Sequence, residues 1–307
     1  MDKNQPPLSW WHVLESFSFV LLAAIVSFSL GLQLELSLII ASVRCVVQLT
    51  MMGYVLNDVF NADNAWIVMM MTLILILLGA YEVVFNRTKR TFQGLFLVMF
   101  VTLLFCTCII GFLGTAFALR IVPFWEPAKF IPIIGMLLGN SMSSIAMATE
   151  RCLDHVSKHA PLLETRLAYG ASRYEAARPL AVESIRLALL PVITQLGVMG
   201  LINIPGTMVG LLLAGAPIRE AVIYQQVIMF MVVASSTIGS IMAVVVCLKT
   251  VIDQKQMLRT DRIHDNKPIV TKTTLTKLGQ KLNEWRQTAC IGRYTKPKYE
   301  ELEMTPT

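Results

Sequence analysis

Few residues in this chain are suited to chemistry, and most of those sit where a reactive centre is hard to build. The four histidines, His12, His155, His159 and His264, lie outside or at the ends of apolar runs, so no imidazole site is expected inside one. Cys106 and Cys108 stand two positions apart; on a helix their side chains diverge by roughly 200°, which does not suit one shared ion. Met136, Met142, Met199, Met208 and Met229 carry thioethers that suit soft metals. Met is equally a flexible apolar filler, and no residue is assigned to a metal. No G-x-x-x-x-G-K-[ST] phosphate loop occurs. If ATP drives this protein, another chain hydrolyses it, so no catalytic residue and no cofactor of its own is expected.

What remains are polar or backbone-breaking residues inside apolar runs. Arg44 and Gln48 lie one turn apart. A charge at membrane depth is costly and turns to a bundle interior or a wet cavity, so Arg44 reads as a clamp or as a pathway residue. Asn140, between Gly139 and Ser141, either joins helices by hydrogen bonding or forms a polar patch facing a substrate. Pro205 and Gly206 break an apolar run just before Met208 and Gly210. Gly206, Gly210 and Gly215 are expected to let backbones approach beside a pathway. Arg44, Gln48, Asn140, Pro205, Gly206, Met208 and Gly210 are the pathway candidates.

The elements that must position these residues are membrane spans. The chain has 307 residues, 55% of them hydrophobic and only 15% charged, with a mean hydropathy of +0.63. That balance lies well outside the range of soluble domains. The net charge of +6 is therefore read as a topology signal and not as a sign of nucleic-acid binding. Six cysteines, mostly in or beside apolar runs, do not form a secreted disulfide pattern. The opening MDKNQPP lacks a basic n-region, and the first apolar run is too long for a signal peptide, so that run is expected to be retained.

Runs long enough to span fall near 11–32, 35–56, 65–84, 95–119, 130–149, 184–203 and 221–248. The fold class expected is an all-α polytopic bundle of about seven transmembrane helices. The piece Thr207–Leu213 is too short to cross and reads as a re-entrant or interfacial hairpin. Segments 85–92 and 150–183 and the tail after Val251 are rich in Lys and Arg, whereas 57–64 has neither. The positive-inside rule then places the N-terminus outside and the C-terminus in the cytosol, in a plasma membrane or an endomembrane. Trp10, Trp11, Trp66 and Trp125 fall at the predicted outer boundaries, as an aromatic belt does. Residues 1–250 make one transmembrane domain and 251–307 a basic, largely disordered tail. In that tail Leu275, Leu278, Leu282 and Trp285 recur at helical spacing among lysines.

The segment 150–183 reads as helix, break, helix. Glu164 stands six residues before Gly170, followed by Ala171, Ser172 and Glu175. Leu163, Leu167 and Tyr174 can share an apolar face while Glu164, Arg166, Arg173 and Arg178 stay polar. A short amphipathic helix of this kind can dock in a groove of a soluble partner. Gly170 is expected to end one helix in a conformation that a Cβ strains.

The Glu-x5-Gly spacing resembles the coupling loop of ABC-transporter permeases, although Thr165-Arg166 stand where that loop has two alanines. Over about residues 40–250 the chain resembles the FetB-type permease family, which includes bacterial iron-export and plant aluminium-sensitivity permeases. The resemblance is carried by SVRCVVQLTMMGYVL (42–56), IPIIGMLLGNSMSSIAM (131–147), LAYGASRYEAARPLAVESIRLALLP and GLINIPGTMVGLLLAGAPIREAVIYQQVIMF. Thr207 stands where a Met is usual in that family and Val209 where a small hydroxyl residue is usual. The resemblance implies the membrane subunit of an ABC-type transporter, not itself an enzyme, that moves a small solute such as iron or another metal ion. A separate ATP-binding cassette subunit would hold ATP and magnesium and couple through Glu164, Gly170, Ala171, Ser172 and Glu175. One chain offers one coupling loop and two ATP sites need two, so a homodimer in the lipid bilayer is expected, with no nucleic-acid partner. The alternatives are an ion-coupled secondary transporter and a non-transporting membrane scaffold. The first usually carries carboxylates at span centres, where this chain has almost none, Glu82 lying near a boundary. A scaffold has no use for the Pro-Gly hairpin.

Overall fold

The computed structural model describes residues 9–32, 34–62, 64–253, 257–259 and 264–265. The amphipathic stretch expected at 275–285 lies outside the described residues. Seven helices among them are long and apolar enough to cross a membrane. In chain order they are α1 (Trp10–Ser29), α2 (Glu35–Ala62), α3 (Ala65–Glu82), α4 (Leu95–Leu113), α5 (Pro127–Lys158), α7 (Arg173–Val198) and α9 (Ile218–Val251), with two shorter helices, α6 (Ala160–Ala168) and α8 (Gly206–Leu213), between the last three.

Local sequence sets the helix ends. Asn64 caps α3 by accepting the Trp66 N–H at 3.1 Å. Pro127 starts α5 at a position where its missing N–H costs nothing. Ser172 and Glu175 form a reciprocal capping box at the start of α7. Both α3 and α4 end in a π-helical turn, Val83–Arg87 and Gly114–Ala118. Such turns often occur near functional positions.

The two largest boundary differences from the sequence reading share a reason. α5 continues nine residues beyond the expected 149, to Lys158, and α7 begins at Arg173 and not near 184. Polar residues at a helix end do not stop a helix that still has an apolar face to bury, and Cys152, Leu153, Val156, Ala176, Ala177 and Leu180 supply one. At the other end α7 stops at Val198, short of the expected 203, where Gly200 turns the chain with φ +88°.

α5 is the axis of the bundle. It packs against α3, α4, α7 and α9, and α9 packs in turn on α4, α7 and α8. The core between them includes Ile76, Met99, Leu103, Ile145, Leu153 and Val244. A second cluster of Val68, Phe130, Ile134, Leu137, Ile228 and Val232 fills the opposite end. At Gly239 a Cβ would lie 2.7 Å from Ile145 Cδ1 and 3.5 Å from Cys106 Sγ, so neighbouring side chains fill the space there. A small residue at this crossing is what lets the helices meet. Hydroxyls occupy the same seam: Ser141 and Ser235 share a buried hydrogen bond of 2.8 Å between α5 and α9. The α1–α2 pair stands apart, its two helices packed mainly on each other. Beyond α9, a two-residue strand β2 (His264–Asp265) pairs antiparallel with β1 (Arg90–Thr91) in the α3–α4 connection.

Candidate functional site

The α5–α6–α7 segment folds as an elbow. α6 ends with Gly170 at φ +89°, and the Gly170 and Ala171 amides donate back to Leu167 and Arg166 carbonyls at 3.0 and 3.1 Å. This left-handed stop is open to glycine and strained for other residues. The chain re-enters helix at once, because the Ser172 hydroxyl accepts the Glu175 N–H at 3.3 Å while Glu175 Oε2 accepts the Ser172 N–H at 2.9 Å. Arg166 adds a strut from α6 to α7 by donating to the Ala176 carbonyl at 3.2 Å.

The apolar face expected of Leu163, Leu167 and Tyr174 is divided. Leu163 and Leu167 point inward and join the core with Val156 and Ala176. Tyr174 lies beyond the break and is 54% exposed, so it does not share that face. The reason is the turn at Gly170, which ends the helical register before Tyr174. The outer surface of the elbow is instead Leu162, Glu164, Thr165, Ala168 and Tyr169, the last 89% exposed. Ion pairs brace the elbow from beneath. Asp154 meets Lys158 at 2.7 Å and Arg90 at 3.5 Å, and Arg90 also donates to the Leu153 carbonyl at 3.4 Å.

Arg44 has a partner that the sequence did not pair with it. Its guanidinium makes a forked ion pair with Glu82, and Asn86 Nδ2 donates to the same carboxylate at 2.7 Å. The clamp joins α2 to α3. Acid and base 38 positions apart on two spans were the available signal, since each needs a counter-charge in a bilayer. Gln48, one turn along α2, is exposed. Asn140 Nδ2 donates to the Met136 carbonyl of its own helix at 2.9 Å and does not tie two helices together. Gly135, Gly139, Ser143 and Met147 form an uncovered face of α5 beside it. Arg87 reaches that face, donating to Ser143 Oγ at 2.6 Å.

α8 is the hairpin. Pro205 precedes its first turn, Met208 is half-buried, and the Thr207 hydroxyl donates to Gln225 Oε1 of α9. None of its residues is buried. The close backbone packing expected at Gly206 and Gly210 is absent within the described chain, because a Cβ at either meets no atom within 4 Å. Elbow and hairpin are not brought together. They sit at the two ends of α7, whose 26 residues span about 39 Å at 1.5 Å per residue. Among the described residues, no three His, Cys, Asp or Glu side chains are grouped to hold a metal ion. Cys106 Sγ has Met242 Sδ at 3.9 Å, within the core.

Comparison with known proteins adds a family. A sequence profile described as "Uncharacterised protein family (UPF0014)" matches residues 10–252. A UPF0014 membrane protein of Synechocystis is 33% identical over 230 residues, covering 74% of this chain and 88% of that protein. The Arabidopsis thaliana protein named ALUMINUM SENSITIVE 3 is 32% identical over 241 residues, 78% of this chain and 86% of its own length. Escherichia coli "Probable iron export permease protein FetB" is 27% identical over 230 residues, 73% of this chain and 85% of its own. No solved structure matches.

Proposed function

The chain belongs to the UPF0014 family of helical integral membrane proteins, and from that premise we propose that it is the permease subunit of a transporter powered by a separate ATP-binding cassette subunit. The observation that carries the reading is the elbow. α6 is anchored by Leu163 and Leu167 and presents Leu162, Glu164, Thr165 and Tyr169 outward. An amphipathic helix fixed on one face and free on the other is what a soluble partner can grip. Gly170 and the Ser172–Glu175 box tie that helix rigidly to α7.

In this proposal the elbow faces the cytosol together with Arg87, Lys89 and Arg90, the N-terminus is outside, and ATP and magnesium are held by the partner. This chain itself catalyses no reaction. Movement of α6 on ATP binding is passed along α5 and α7, the two long helices it joins. α8 and the uncovered face of α5 around Gly135, Gly139 and Ser143 then change their exposure to the solute. A second copy of the chain covers that face and the bare side of α2. The name of the Escherichia coli relative supports iron or another metal cation as the solute. Affinity purification of the tagged protein, read by mass spectrometry, tests the reading. An ATP-binding cassette protein is expected among the partners, with its ATPase rate raised by the transported cation. A partner set without one overturns the proposal.

A further inference from the structure

A groove of about 330 Å³ opens between the start of α7 and the end of α9. Its lining takes in Arg173, Arg178 and Lys249 beside Ala181, Val245 and Leu248, and its surface is almost wholly apolar, so the three cations face it with their aliphatic stems. Counted from the elbow end, the order on both helices is the same. On α7 the cations at 173 and 178 precede Ala181, and on α9 Val245 and Leu248 precede Lys249 in the last turn. Charge therefore lies at the elbow end of the groove, and the apolar side chains lie within about one turn of it. Among the described residues none of the three cations has an ion-pair partner, whereas Arg44, Arg90, Lys158 and Arg259 each have one. Arg173 rests 5.1 Å from the centre of the Tyr174 ring, which leaves its N–H edge open. The one carboxylate in the lining, Glu175, accepts the Ser172 amide at 2.9 Å as part of the α7 cap.

We infer that this groove binds the headgroup of an anionic phospholipid, with the phosphate on Arg173, Arg178 and Lys249 and the acyl chains along Ala181, Val245 and Leu248. Guanidinium groups match phosphate oxygens with paired donors, and basic pockets between spanning helices at the membrane surface suit lipid headgroups. A free phosphate has no use for the apolar half. The inference does not depend on the ATP-binding partner.

The test uses the full chain in nanodiscs made of phosphatidylcholine and phosphatidylglycerol in equal parts. The protein is released into detergent, and native mass spectrometry counts the lipids that stay bound. Retained phosphatidylglycerol should exceed phosphatidylcholine by on the order of tenfold, given the attraction of each basic residue for anionic lipid. The triple variant R173Q/R178Q/K249Q should bring the ratio close to one. Val245→Trp fills the apolar half and keeps every charge, and it should lower the ratio as well. Lys89→Gln, outside the groove, should leave it unchanged. An even ratio in the wild type, or a ratio unchanged in both groove variants, overturns the inference. So does displacement of the lipid by millimolar inorganic phosphate, which points to a phosphate site. An even ratio together with loss of a co-purifying protein from the triple variant assigns the groove to that protein instead.

Discussion

α2 and α5 make an instructive pair. Both are long, both carry polar residues in mid-span, and α2 is the more apolar of the two by hydropathy. Yet 56% of the apolar window of α5 is buried inside the chain, and none of that of α2. In water the more apolar helix is the one inside. In a bilayer lipid is as apolar as a core, so burial follows shape and hydrogen bonding instead. α5 has small and hydroxyl residues such as Ser141, Ser144, Ala146 and Ala148, which let α4, α7 and α9 approach. α2 has Val43, Val47, Leu49 and Tyr54 turned outward. It is held chiefly by the Arg44–Glu82 pair and by Val59 in the second cluster. The bundle is a packed object, and the α1–α2 pair is tethered to it.

The comparison can be broken most forcefully by overfilling. Gly239→Leu should cost about 3 kcal/mol, because Ile145 of α5 and Cys106 of α4 already occupy the space. The matched change Gly53→Leu on α2, where a Cβ meets no atom within 4 Å, should leave unfolding in detergent almost unmoved. Equal losses at both would erase the distinction. Next in size is Gly170→Val, which places a β-branched residue at φ +89° and should cost about 2 kcal/mol. The variant should still insert in the membrane while losing co-purification of an ATP-binding partner.

A double-mutant cycle over Arg44→Ala and Glu82→Ala should return about 1 kcal/mol of coupling, the upper range for a partly exposed pair. Hydrogen exchange should then rise in α1 and α2 alone, since among the described residues no other ion pair joins them to the bundle. The same cycle over Ser141→Ala and Ser235→Ala should give about 0.6 kcal/mol, the usual size for hydroxyl bonds between membrane helices. Smallest of all is Gly206→Leu, which should change stability by no more than about 0.5 kcal/mol because its surroundings are open. Loss of transport in that variant, measured in vesicles, would mark α8 as a surface used in function and not in folding.

How much of this could be read in advance depended on the range of the interaction. The seven spans, the short hairpin and the left-handed stop at Gly170 follow from local pattern, and all are present. The chain also reads as a member of its family from stretches on α2, α5, the elbow and α8. The ends of α5 and α7 were misjudged because polarity marks where a helix leaves the membrane, not where it stops. The Arg44–Glu82 pairing, the inward turn of Leu163 and Leu167, and the open space at Gly206 all depend on which helices are neighbours. A single sequence carries no direct record of that. Tyr174 was grouped with the wrong face for the related reason that one glycine resets the helical phase.

α7 joins the elbow to the hairpin, and two prolines sit inside it, Pro179 and Pro191. Neither has an amide hydrogen, so the carbonyls of Glu175 and Leu187 lose their helical donors. The helix is thus missing a backbone hydrogen bond at two points, where it bends more readily, one just above the elbow and one about two turns from its far end. In the function proposed above, part of a movement applied at α6 is absorbed at these two points before it reaches α8.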